Sequence, residues 1–324
     1  MKILVTGANG FVGSALCAAL LRDGFGVRAA LRNAGRAGSA AAPVECVAVG
    51  AVGPDTNWSA ALSGIDVVVH LAARAHVFEQ RGSDPTAEFE RVNHLATAAL
   101  AQQAVAAGVR RLVFTSSIKI NGEVTTARPF LESDPPGPCD AYGVAKWNAE
   151  QALNRLAAES ALEVAILRPP LVYGTGVKGN LLQLMHAIAR GVPLPFASID
   201  NRRSLLGLDN LVAAITLCIT HSAGAGRTYL VSDGEDVSTP QLIRLIANAM
   251  GKPARLLSCP VSLMRLAGRL TGKDAAVMRL TSSLQVDSGR IRREMGWQPV
   301  APVAAGLARM ARWYCEQTDP GARI

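Results

Sequence analysis

A short apolar run, Lys2-Ile-Leu-Val-Thr6, leads straight into Gly7-Ala-Asn-Gly10-Phe-Val-Gly13, and an amphipathic segment from Ser14 to Arg22 follows before Asp23-Gly24. Strand, glycine loop and helix in that order leave few folds open, because a glycine loop carries meaning only between those two elements. Gly7 permits the tight turn, Gly10 lets backbone approach a pyrophosphate, and Gly13 lets the helix pack closely on the strand. The helix N-terminus then offers free N–H groups and the positive end of its dipole to phosphates. The spacing is GxxGxxG rather than GxGxxG, and the reading is a dinucleotide site at the start of the chain.

The rest of the first half fits that start. Strands are expected at 2–6, 26–31, 44–49, 65–71, 111–116 and 163–168, with helices at 12–22, 86–107 and 142–160. Such alternation implies an α/β fold with a parallel, doubly wound sheet of the Rossmann type. Beyond Pro169-Pro170 the pattern loosens into helices at 178–190, 209–221, 239–250, 261–270 and 302–316, interrupted by a strand-like 227–231. We therefore expect a dinucleotide-binding domain over 1–170, with return segments around 205–210 and 227–231. A smaller, mostly helical substrate domain is expected over 171–324. The cleft between them, at the carboxyl ends of the strands, is where a ligand should sit.

Tyr142-Gly-Val-Ala-Lys146 supplies candidate chemistry, with Ser117 upstream. Residues four apart on a helix share a face, so Tyr142 and Lys146 should stand one above the other. An ammonium there is expected to lower the phenol pKa and make Tyr142 a usable acid or base near neutrality. Ser117 could polarise a carbonyl or hold a substrate hydroxyl against the phenol. Alone, a tyrosine and a lysine at that spacing occur on many solvated helices; the glycine loop gives them weight.

Together these features resemble the extended short-chain dehydrogenase/reductase family, which includes nucleotide-sugar epimerases, dehydratases and 4-ketoreductases. TGANGFVG (6–13) is similar to its cofactor loop, Asp66-Val-Val-Val-His-Leu-Ala-Ala73 to its fourth strand, and Asn93 to an asparagine on the following helix. Phe114-Thr-Ser-Ser117 resembles the serine strand, and Leu167-Arg-Pro-Pro-Leu-Val-Tyr-Gly174 the strand and loop beside the nicotinamide. Arg203-Ser-Leu-Leu-Gly-Leu-Asp209 resembles an arginine-led element on the nucleotide of UDP-sugar members. The resemblance implies Ser117, Tyr142 and Lys146 as catalytic groups, with Ser117 rather than Ser116 as the serine. It implies cofactor contacts from Gly7, Gly10, Phe11, Val12, Gly13, Arg32, Leu71, Ala72, Ala73, Asn93, Pro169, Tyr142 and Lys146. Substrate contacts are expected from Ser117, Lys119, Tyr142, Asn180 and Arg203.

NAD-binding chains usually end the second strand on an acid that meets the ribose. Here Val27-Arg28-Ala-Ala-Leu-Arg32-Asn33 ends on arginine, whose fork of donors suits a 2′-phosphate. NADP is therefore the expected cofactor and NAD the alternative. Gly50-Ala51 departs from the family's Gly-Asp, which puts one adenine contact in doubt. Family dehydratases place an Asp-Glu pair directly after the serine position, whereas Ile118-Lys119 stands here, so 4,6-dehydration is not expected. Asn121 replaces a tyrosine of UDP-galactose-type epimerases, and Leu171 replaces a pocket asparagine. Ser117-Ile-Lys-Ile-Asn-Gly-Glu123 resembles 4-ketoreductases and epimerases of surface-polysaccharide synthesis. The reading taken is a UDP-hexose 4-ketoreductase; the alternative is a UDP-hexose 4-epimerase of the UDP-glucose or UDP-N-acetylglucosamine type. A non-catalytic dinucleotide-binding protein fits less well, because Ser117, Tyr142 and Lys146 are all intact.

The formal net charge of +8 would suit a polyanion, yet the arginines are dispersed and aromatics make up only 5%, so no nucleic-acid surface is expected. No apolar run approaches a membrane span, and a strand beginning at residue 2 leaves no room for a signal peptide, so a cytoplasmic protein without membrane insertion is expected. The six cysteines and five histidines show no metal spacing, and no metal is expected. Cys139 is read as a loop thiol, while Arg74 and His76 are placed toward the pocket. A homodimer is left open.

Overall fold

Alternation within the first strand shows how the layers arise. In β1 (Lys2–Thr6), Ile3 and Val5 join one buried cluster and Leu4 joins another on the opposite face, as the two-residue period of a strand requires. The first cluster takes in Leu16 and Leu20 of α1 (Phe11–Arg22) and Leu211 and Ile215 of α7 (Leu208–Thr220). The second takes in Leu100 and Ala104 of α4 (Ala96–Ala106) and Ala149 and Leu153 of α5 (Ala141–Ala158). A sheet covered on both faces is the expected setting for parallel strands. Truncating one of these fully buried leucines to alanine should cost about 2–5 kcal/mol.

The computed structural model describes residues 1–33, 44–74 and 84–318. Its main sheet has seven parallel strands in the order β3-β2-β1-β4-β5-β6-β9. After β1 come β2 (Gly26–Leu31), β3 (Glu45–Ala48), β4 (Val67–His70), β5 (Arg111–Thr115), β6 (Glu163–Arg168) and β9 (Arg227–Leu230). The order reverses direction between β1 and β4, the topological switch point where ligands of such sheets bind. The chain thus leaves the sheet after β6 and returns at β9, which pairs with β6 at the sheet edge.

A second sheet, which the periodicity of the sequence did not reveal, has the order β10-β8-β7. It is formed by β7 (Leu171–Tyr173), β8 (Arg203–Gly207) and β10 (Asp236–Val237). These strands are two to five residues long, too short to show a period. Helices α6 (Asn180–Ala189), α8 (Thr239–Ala249) and α12 (Val303–Thr318) pack around Met185, Ile243, Ile246 and Met310 in a third cluster. Asp233 ties the two parts together. Its carboxylate accepts from Tyr173 Oη at 2.8 Å, the Gly207 amide at 2.9 Å and Asn210 Nδ2 at 2.6 Å. Burial pushes this carboxyl's pKa up, and the three donors oppose that shift.

The helical pattern at 86–107 resolves into α3 (Pro85–Phe89), a π-helical stretch Glu90–Leu95, and α4. Such wide turns interrupt helices at functional sites more often than elsewhere. Two short helices, α10 (Asp274–Thr281) and α11 (Gly289–Met295), lie where the sequence pattern gave none. The remaining helices are α2 (Ser59–Leu62) and α9 (Val261–Leu270). His76 and the alanine-rich stretch at 34–42 lie outside the described residues.

Candidate active site

At the carboxyl ends of β1 to β4 lies a cavity of about 680 Å³, lined by Gly7, Gly10, Arg32, Ala72, Ala73 and Trp58 among others. The glycine loop shapes it. Gly7 has φ of +65°, and a β-carbon there would meet the Ala72 amide at 2.9 Å. A β-carbon on Gly13 would lie 2.1 Å from the Gly7 carbonyl oxygen, so α1 can sit this close only with glycine at that position. Three observations say that a dinucleotide fits here. The cavity floor is small residues and backbone. No side chain caps the start of α1 at Gly10, unlike α3 and α5, which Asp84 and Asp140 cap, so its first-turn N–H groups face the loop unclaimed. The fully buried Trp58 also lines the cavity, and its indole N–H finds no partner among the described residues.

Hydrogen bonds hold the far wall. Thr6 Oγ1 accepts from the amides of Leu71 and Ala72, both at 3.1 Å, and lies 2.7 Å from His70 Nδ1. His70 is fully buried, and burial lowers its pKa to about 3, so it serves as a neutral part of the core. Asn93, expected at the cofactor, stands behind the wall: its amide accepts from Arg74 N at 2.8 Å and donates to Arg74 O at 2.9 Å. Arg74 lines the cavity with Glu88 and Arg91, which are ion-paired to one another. Phe11 and Val12 open α1, and Phe11 packs on the sheet core and the third cluster alike. Arg32 and the Gly50-Ala51 turn lie on the rim, with no acid among the residues that line it there. Arg28, by contrast, is buried and spent on Glu45 and three backbone carbonyls.

Ser117, Tyr142 and Lys146 come together where β5 ends and α5 begins. Ser117 Oγ accepts from the Lys119 amide at 3.3 Å and acts on the Tyr142 phenol, and Lys146 Nζ donates to the Thr115 carbonyl at 3.0 Å while lying 4.4 Å from the Phe114 ring centroid. The expected lowering of the phenol pKa is not what these side chains produce. Burial first, and the Asp140 charge second, push Tyr142 up to about 12, with the Ser117 hydroxyl pulling the other way. Burial also brings Lys146 down to about 7, against the pull of Glu150. Half-neutral near pH 7 and bonded to a carbonyl, this lysine cannot by itself offset what burial costs a phenolate. As it stands the phenol is a proton donor. Ser116, the other serine of the strand, is buried with its hydroxyl unpartnered among the described residues. Pro169 braces the strand, its carbonyl accepting from Ile118 N at 3.0 Å.

Several residues here escaped the sequence reading. Asp140 caps α5 through the Gly143 amide at 2.7 Å and bonds Lys119. Lys119 also meets Glu123 at 2.9 Å and lies 5.9 Å from the Tyr142 ring centroid. Burial works against its charge, and the two carboxylates raise its pKa overall. Phe89 packs edge-on to Tyr142 at 5.9 Å. An aspartate two residues before Tyr142 carries an N-cap signature; Glu123 stands in the motif quoted above without a role assigned to it, and nothing in the sequence signals Phe89. Asn121 is satisfied by Arg168 Nη1 at 2.9 Å and the Leu131 carbonyl at 3.0 Å. Arg168 in turn pairs with the buried Glu150 at 2.6 Å.

Arg203 reaches this cluster only indirectly. Its Nη1 donates to the carbonyls of Arg279 at 2.8 Å and Ser282 at 3.0 Å, and the Glu123 charge acts on it. Asn180, the first residue of α6, and Leu171, the first of β7, are both exposed. Cys139 is an exposed loop thiol. Among the described residues no group of His, Cys, Asp and Glu could hold a metal.

Known proteins align along the whole of this arrangement. A family model described as "NAD dependent epimerase/dehydratase family" matches residues 3–232. A UDP-glucose 4-epimerase of Vibrio cholerae is 41% identical, covering 98% of this chain and 97% of its own. Another UDP-glucose 4-epimerase, from Mycolicibacterium smegmatis, is 30% identical, covering 97% and 98%. The solved structure of MoeE5 in complex with UDP-glucose and NAD superposes with a TM-score of 0.79 at 26% identity, covering 98% of this chain and 99% of that one.

Proposed function

The chain belongs to the NAD dependent epimerase/dehydratase family, and on that premise we propose that it is a UDP-hexose 4-epimerase. The observation that carries the choice is the 41% identity, over nearly both full lengths, to a UDP-glucose 4-epimerase. It favours epimerisation over the 4-ketoreductase reading of the sequence, which uses the same three side chains.

A nicotinamide dinucleotide bound in the cavity would supply the hydride acceptor and donor and, when oxidised, a positive charge. Gly7, Gly10, Val12 and Gly13 would hold the pyrophosphate with backbone, while Leu71 to Ala73 and Pro169 would shape the nicotinamide end. Ser117 Oγ holds the oxygen on carbon 4 of the sugar against Tyr142 Oη. Tyr142 takes the proton of that hydroxyl as carbon 4 is oxidised and returns it when carbon 4 is reduced on the other face. A phenol held up at about 12 by burial gives up its proton reluctantly, so taking the sugar's proton would need a stabilising positive charge nearby, and returning it would not. Lys146, one turn below and donating to the Thr115 carbonyl, would hold the nicotinamide ribose. Lys119, Asn180 and Arg203 would meet the diphosphate and nucleotide, Arg203 only by leaving the carbonyls of Arg279 and Ser282 to which it donates. At the adenosine end, an arginine on the rim without a carboxylate fits a 2′-phosphate, so NADP is assigned the tighter binding and NAD the weaker.

Incubation of the purified protein with UDP-glucose and no added reductant tests this reading. Formation of UDP-galactose to a fixed equilibrium ratio, resolved by anion exchange, is the expected result. Consumption of NADPH only in the presence of a 4-keto sugar would restore the reductase.

A further inference from the structure

Helix α9 carries a row of leucines on its solvent side. Leu263, Leu266 and Leu270 are 56%, 53% and 78% exposed, and their spacing of three and four places them on one face. Met264 and Gly268, the buried residues of the helix, form the face turned to the protein. Gly268 packs against α10, where Val277 would touch its β-carbon at 2.9 Å. Helix α10 buries none of its own side chains and adds Met278 and Leu280, 39% and 38% exposed. This hairpin therefore shows an apolar ridge to water and gives little of it to the core, the mark of an interaction surface rather than of packing.

The charge beside the ridge indicates what covers it. Between Gly251 and Val286 there are six lysines and arginines and a single acid, Asp274. Arg265, Arg269 and Lys273 are all exposed on or next to α9. A second copy of the chain would set these cations against themselves, which an interface built on a two-fold axis disfavours. An anionic lipid surface complements both features, taking leucines below the headgroups and cations at their level. No helix among the described residues is long and apolar enough to cross a membrane, so contact would be in the plane of the interface. We propose that the α9–α10 hairpin docks the enzyme on the headgroup face of an anionic phospholipid bilayer. The hairpin also meets the candidate cleft, since the Arg279 carbonyl near the end of α10 receives Arg203.

Flotation of the full chain with vesicles tests this. Vesicles of equimolar phosphatidylcholine and phosphatidylglycerol should carry the protein at low salt; pure phosphatidylcholine, or raised salt, should release it. Changing Leu263, Leu266 and Leu270 each to Glu should weaken vesicle binding by about tenfold or more, given what burial of each leucine contributes. Turnover of a soluble UDP-hexose and the melting temperature should be unchanged. A single Val300→Glu change, at an apolar residue exposed elsewhere, should leave flotation alone. Leu266→Trp should show a blue-shifted emission on the anionic vesicles only. The proposal fails if wild type does not float with anionic vesicles, or if the leucine variant floats equally well. It also fails if wild type sediments as a dimer that the leucine variant breaks, which would make a second copy the occupant.

Discussion

The two walls of the cleft are made of different material. On the dinucleotide side the ligand would meet backbone and small side chains, set by seven consecutive residues from Gly7 to Gly13 and by Thr6 reaching Leu71 and Ala72. On the substrate side it would meet long charged side chains, Lys119, Glu123 and Arg203, paired to groups as distant as Asp140, Arg279 and Ser282. The first wall is fixed by sterics that glycine alone satisfies. The second is a network of charges that can rearrange around a ligand.

Tyr142 stands where the walls meet, and its loss should break function without touching either. Tyr142→Phe should lower turnover by about two to four orders of magnitude, the usual worth of a positioned acid–base group, while dinucleotide binding stays near wild type. Near-normal turnover by that variant would remove Tyr142 from the reaction.

Lys146 sharpens the contrast through pH. Its folded pKa, about 7, lies below its ordinary 10.5, so the unfolded chain binds the extra proton between those values. Stability should then rise with pH across that window. Lys146→Met should flatten the rise, seen as urea midpoints at two pH values inside it. An unchanged slope would mean that Lys146 keeps its charge in the folded enzyme.

On the dinucleotide wall, Arg32→Ala should weaken NADPH by about 1.5–3 kcal/mol, the range for a hydrogen bond to a charged group, and leave NADH alone. Equal losses in a nicotinamide fluorescence titration would show that Arg32 reads no phosphate. On the substrate wall the effect should be smaller. Arg203→Ala should raise KM for a UDP-hexose about tenfold, near 1.4 kcal/mol, without changing dinucleotide affinity. UDP should also raise the wild-type melting temperature in proportion to occupancy. No shift with UDP would leave Arg203 a structural residue of the α10 junction.

The same contrast explains what the sequence could tell. The six central strands and the glycine loop follow local rules of period and sterics, so Lys2 to Gly13 and Tyr142 to Lys146 were legible. The short second sheet is held by Asp233, which Tyr173 meets from 60 residues away, and by Asn210, which meets Ala301 across 91, and no local pattern records that. The phenol's direction of shift was misread for a related reason: a lysine four residues away is visible in sequence, but the burial that outweighs it is not. Asp140 and Glu123 likewise gain meaning only once Lys119 is seen between them.

The central claim is that carbon 4 of the sugar is oxidised and reduced within one site, with Tyr142 moving the proton and hydride returning to the carbon it left. UDP-glucose carrying deuterium at carbon 4, given to purified enzyme without added dinucleotide, tests this directly. Nuclear magnetic resonance of the product should show UDP-galactose with deuterium still at carbon 4. UDP-galactose formed with protium at carbon 4, or no turnover until NADPH and a 4-keto sugar are supplied, would contradict it.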